Sequence, residues 1–156
     1  MADEEIHGVG GWLLFFVFVL ILLSPLFSLL GVVSAVDGVE KNYPSLFTVP
    51  AWVSFQHVTW TTFLIGSGCL ILSGLLLCIH RKPVSVAIVV VVFWLAGPAA
   101  SIFLIFILPQ WILSISIPTD EMNISFCTVI GAVLSSIVWT LYLLQSKRVQ
   151  NTYLQV

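Results

Sequence analysis

Reactive side chains are scarce in this sequence and stand far apart. Its three cysteines are Cys69, Cys78 and Cys127, and its three histidines are His7, His57 and His80. No two cysteines form a Cys-x-x-Cys pair, the spacing used for metal binding or thiol redox chemistry, so they read as small apolar packing residues. His57 and His80 fall at opposite edges of apolar stretches and His7 in the N-terminal tail, which suits interfacial polar residues better than proton carriers. Serines and threonines are plentiful, yet none has a base spaced to activate it as a nucleophile. Paired carboxylates, a metal-ligand cluster and a glycine loop for phosphate are all missing from the pattern. The reading therefore expects no catalytic, cofactor or metal site, and an intramembrane enzyme is the least supported class.

The ionic residues are informative through their positions. The chain has 156 residues, of which 60% are hydrophobic and 8% charged. A soluble domain carries roughly 25% charged residues, so this surface is not made for water. A net charge of -2 gives no reason to expect nucleic acid as a partner. All charges lie at the termini or between four apolar runs, at about residues 9–36, 58–79, 84–108 and 124–144. About 20 helical residues, rising about 1.5 Å each, cross the roughly 30 Å hydrocarbon layer, and each run reaches that length. Barrel strands are shorter, at about 10 residues, and alternate in polarity, so the expected fold is all-α: one domain, a bundle of four transmembrane helices in contact with the lipid bilayer. Val33-Ser34-Ala35 loosely fits a signal cleavage site, but the segment before the run is acidic (Asp3, Glu4, Glu5) and the run is too long. An uncleaved first span is the reading.

Lysine and arginine favour cytoplasmic loops. His80-Arg81-Lys82-Pro83 joins the second and third spans, and Lys147-Arg148 opens the tail at residues 145–156. Both are expected inside. The link at residues 37–57 holds Lys41 beside Asp37 and Glu40, and the link before the fourth span holds Asp120 and Glu121, so both are expected outside. Both termini are then cytoplasmic. Trp12, Trp52, Trp60, Trp111 and Tyr153 sit near the span ends, as headgroup-level aromatics do, whereas Trp94 and Trp139 lie deeper and should pack against neighbours.

Asp37-Gly38 is expected to stop the first helix, Pro83 to open the third, Pro109 and Pro118 to bracket the last link, and Asp120 or Asn123 to cap the fourth. The 37–57 link is apolar enough to lie in the interface, with a short helix around Ala51–Gln56. Pro25 and Pro98 break the first and third spans; such breaks are either packing kinks or sites for a solute. Gly66, Cys69 and Ser73 on the second span, and Thr128, Gly131 and Ser135 on the fourth, follow i, i+3, i+7 and read as helix-packing faces. With the paired prolines, the two Pro-x-Trp elements and the two basic pairs, these stripes raise the idea of two similar hairpins.

Two stretches carry a family resemblance. Gly8-Val9-Gly10-Gly11-Trp12-Leu13-Leu14 resembles the Gly-Gly-Trp-Leu opening of a family of small bacterial membrane proteins, and Ser146-Lys147-Arg148-Val149-Gln150-Asn151-Thr152-Tyr153 resembles its Ser-Lys-Arg-Val-x-Asn-Thr-aromatic ending. Ser24-Pro25-Leu26 also fits. The family is filed as domain of unknown function 2569. The resemblance implies a four-span bacterial inner-membrane architecture and brings no activity. Both motifs fall on the expected cytoplasmic side, so Gly11, Trp12, Lys147, Arg148, Asn151, Thr152 and Tyr153 form a candidate contact face for a partner or a lipid headgroup. The leading expectation is a non-enzymatic scaffold or accessory subunit that associates with itself or another membrane protein. The alternative is a small-molecule or lipid transporter with a polar cavity near Pro25 and Pro98, faced by Ser24, Ser101 or Thr62.

Overall fold

The computed structural model describes residues 11–80, 82–114 and 119–154, and every element among them is helical. Four helices are long and apolar enough to cross a membrane: Trp12–Asn42, Pro50–Ile79, Pro83–Leu113 and Ser125–Gln145, the last within the longer helix Thr119–Gln145. Leu22, Phe27, Leu72, Leu134 and Val138 are all exposed on them, an apolar exterior that suits lipid and not water. The protein is a multi-pass membrane protein.

Prolines shape the first and third spans in the same way. A proline ring collides with the carbonyl four residues before it and offers no N–H. The chain answers by widening the preceding turn. Before Pro25, residues Val19–Leu23 form a π-turn and Ser24 N–H reaches back five residues to the Val19 carbonyl. Before Pro109, Phe103–Ile107 form a second π-turn and Leu108 N–H reaches the Phe103 carbonyl. Pro98 sits inside a third, Leu95–Ala99. The expected breaks are therefore π-turns within continuous helices.

Several boundaries differ from expectation. The first helix runs through Asp37 and Gly38 to Asn42, because the side chain of Glu40 is gripped by the second span, and this offsets the roughly 1 kcal/mol that a helical glycine costs. The link shrinks to a 3-10 turn, Pro44–Thr48, and extended Val49; Ala51–Gln56 belong to the second span. Pro109 is inside the third helix, which ends at Ser114 in the left-handed region (φ 53°). Asp120 and Asn123 lie within the fourth helix instead of capping it; Pro118 is outside the described residues. Pro83 does open the third span, preceded by extended Lys82.

The main core lies at one end of the bundle. Leu13, Phe16, Val17 and Leu20 open the first span, Leu70 and Leu77 close the second, Val86 and Val89 open the third, and Leu143 closes the fourth. Alternating helix directions bring these stretches together at the end that carries Lys82 and Lys147, here called the basic end. Phe16 rings meet Phe93 at 5.8 Å and Trp139 at 4.5 Å, joining the first span to the third and fourth. The first and second spans come into tight contact at Gly74, where an added Cβ would stand 2.6 Å from Ile21 Cγ1. Gly74→Val should therefore lower unfolding stability in detergent by about 1–3 kcal/mol through overpacking. Gly131→Ala, within the fourth helix and with nothing within 4 Å of the added Cβ, should not lower stability and should raise it by up to about 1 kcal/mol through helix propensity.

Candidate functional site at the basic end

Both ends of the described chain close on the same core. Gly11 precedes the first helix with φ 56° and ψ −132°, a conformation that a side chain would oppose. Trp12 then points outward, 69% exposed, while Leu13 is fully buried. At the other end the fourth helix stops at Gln145, Ser146 is extended, and Lys147–Val149 begin a new helical segment that passes into a π-turn, Gln150–Leu154. Val149 and Tyr153, four residues apart on one helical face, are buried to 0% and 1% exposure among the core side chains. The Tyr153 hydroxyl donates to the Leu77 carbonyl, one of the final carbonyls of the second span that have no acceptor role inside their own helix. Gln150 Nε2 donates to the Leu144 carbonyl at 3.1 Å and serves the fourth helix in the same way.

This arrangement redistributes the candidate contact face. Tyr153 is a core residue and not a headgroup anchor. Asn151 and Thr152 are half-buried and engaged in contacts. Gly11, Trp12 and Lys147 remain exposed at the surface. The side chain of Arg148 lies outside the described residues. What the structure brings together is the packing side of the two motifs, Leu13 with Val149 and Tyr153.

The other candidates fall elsewhere. Gly66 meets Ala96 of the third span, its Cβ position 3.9 Å from the Ala96 Cβ, and Ser73 is buried with its hydroxyl on the Leu70 carbonyl at 2.8 Å. Cys69, Cys78 and Cys127 are all exposed on their helices. Thr128, Gly131 and Ser135 are all exposed, so this face packs against nothing within the chain at Gly131. The two stripes occupy unlike environments, as do Trp52 (3% exposed) and Trp111 (74%) of the two Pro-x-Trp elements.

At the proline breaks, Pro98 is buried and Pro25 half-buried. Ser101 Oγ donates to the Gly97 carbonyl at 2.8 Å, and Trp94 Nε1 donates to Thr140 Oγ1 at 3.1 Å. Ser136 Oγ is buried without a hydrogen-bond partner, 3.5 Å from where a Cβ on Gly97 would stand. These groups form a polar seam between the third and fourth spans. A groove of about 300 Å³ runs between the second and third spans, lined by Thr62, Gly66, Cys69, Ala96 and Ala100 among others. A larger one, about 640 Å³, follows Leu14, Phe15, Phe18 and Leu22 along the first span. Sequence reasoning marked Gly97 only as part of the Pro98 break and missed Gly74, Ser136 and Thr140. The small size of these residues was a usable signal, but each is recognisable only with its partner helix in place.

A family model described as Protein of unknown function (DUF2569) matches residues 6–154. The chain belongs to the DUF2569 family. The match reaches residue 154, so the region common to DUF2569 proteins takes in the segment that folds back to Leu77. No curated protein and no solved structure matches the chain. If the DUF2569 tail is structural at Tyr153, Tyr153→Phe should cost about 1–3 kcal/mol, the penalty for stranding a buried carbonyl. Tyr153→Ala should cost about 3–5 kcal/mol by leaving a cavity as well. Thermal unfolding of the purified protein in detergent measures both.

Proposed function

We propose that this DUF2569 protein is a non-enzymatic scaffold or accessory subunit of the bacterial inner membrane, with both termini in the cytoplasm, and that it associates with further copies of itself. The observation that carries the reading is the filled interior. Apolar side chains from all four spans and the tail occupy the core; of the polar groups near the breaks, Trp94 ties the third span to Thr140 of the fourth and Ser101 bonds within its own helix. What such a molecule offers to partners is surface. Helices in lipid gain little from hydrophobic burial and associate through close contact at small residues. Thr128, Gly131 and Ser135 present such a face outward.

The placement of charge supports the orientation. Lys82 and Lys147 lie at the basic end with the tail, while Asp37 and Glu40 lie at the opposite end of the first span. Two observations favour the transporter reading: the unpartnered Ser136 hydroxyl beside Gly97, and Thr62 lining the groove that reaches Ala96 and Ala100 on either side of Pro98. The two grooves are lined chiefly by apolar side chains and do not combine Pro25 with Pro98 in one cavity, which favours the scaffold.

Native Cys127, exposed next to Thr128, provides the test. In membranes carrying the Cys69→Ser, Cys78→Ser protein, a short bismaleimide should yield a Cys127-linked dimer. Gly131→Ile should reduce that product several-fold at normal expression. A monomer under all conditions, or a dimer indifferent to Gly131→Ile, would contradict self-association through this face.

A further inference from the structure

At the end opposite the tail, the last turns of the first span carry an unusual carboxylate. Glu40 is half-buried against the second span. Trp52 Nε1 donates to its Oε1 at 3.2 Å, and Gln56 Nε2 donates to the same oxygen. Oε2 receives no donor from the described residues, yet it is not a buried atom. Both donors are neutral, and no cationic side chain among the described residues pairs with Glu40. A glutamine at this position could accept the same two bonds without the cost of partly desolvating an ion. The carboxylate is also held in one orientation. Trp52 is only 3% exposed and stacks on Phe55 with centroids 5.3 Å apart, which fixes its N–H direction. One turn deeper on the second span than Gln56, Thr59 Oγ1 is buried with no hydrogen-bond partner.

We infer that Glu40 is a binding site for the ammonium of a zwitterionic phospholipid headgroup. A preoriented carboxylate with one open oxygen suits a compact monovalent donor. A divalent metal would need several more oxygen ligands, and among the described residues no group of three His, Cys, Asp or Glu side chains gathers to supply them. The location favours a lipid as the source. Glu40 lies just past the apolar stretch that ends in buried Val36, the level at which headgroups pack. The next residue, Lys41, is exposed and points about 100° round the helix, where it can meet the headgroup phosphate while the ammonium meets Glu40. The site does not depend on the scaffold reading.

The test counts bound lipids on the full chain. Protein is taken from nanodiscs holding equal amounts of phosphatidylethanolamine and phosphatidylglycerol, and the retained lipids are identified by native mass spectrometry. The wild type should retain phosphatidylethanolamine in roughly tenfold preference, the scale of one charge-assisted hydrogen bond. Glu40→Gln should lose the preference with its melting temperature unchanged, and Asp37→Asn, an exposed acid three residues earlier, should keep it. Ethylammonium added to the wild type should displace the lipid, an arm that needs no variant to fold. Equal retention of both lipids by the wild type, a preference that survives Glu40→Gln, or ethylammonium binding with no lipid preference would each overturn the proposal.

Discussion

Hydrocarbon offers no hydrogen bonds, and this one constraint organises the molecule. Each backbone N–H and C=O that enters the layer must find its partner within the protein. The three π-turns meet that demand where Pro25, Pro98 and Pro109 remove donors, with Ser24 and Leu108 reaching back five residues to keep the ladder intact. Several hydroxyls in the spans follow the same rule, Thr59 and Ser136 being exceptions. Ser54, Thr61, Ser73 and Ser101 each return to a carbonyl three or four residues earlier in their own helix. At the basic end the tail completes the set, as Tyr153 and Gln150 reach carbonyls near the ends of the second and fourth spans.

The same solvent weakens the usual reason for helices to associate. Apolar side chains gain little by leaving lipid for protein, so contact area and fit decide which faces meet. That explains why close approach occurs at Gly74 against Ile21, Gly66 against Ala96 and Gly97 against Ser136. It also explains the uneven core. Aromatic and leucine side chains with the inserted tail close the basic end, while much of the fourth span faces outward. A bundle packed in this way turns large apolar faces of all four spans outward.

The four spans were legible in the sequence because length and lack of charge are local properties. Pro83 opening the third helix and the breaks at Pro25 and Pro98 were legible for the same reason, since a proline acts on its own turn. What escaped the sequence depends on a distant partner. Gly38 is a plausible helix stop until Trp52 and Gln56 hold Glu40 and extend the first helix to Asn42. Pro109 reads as a loop residue until the π-turn before it absorbs its ring. Tyr153 reads as an interfacial aromatic because nothing nearby in the chain reveals Leu77, 76 residues away, as its acceptor. The faces the cysteines occupy were not legible for a related reason. Being small and apolar, they are equally at ease against lipid and inside, and periodicity does not say which face is which.

Amide hydrogen exchange in nanodiscs tests the central claim most directly. If all polar backbone is satisfied within the protein, the amides of Ser24 and Leu108 exchange as slowly as their helical neighbours despite the adjoining prolines, and residues 149–153 are protected almost as well as the spans. Exchange of the tail at the rate of a free peptide, or rapid exchange at Ser24 and Leu108, would contradict the account.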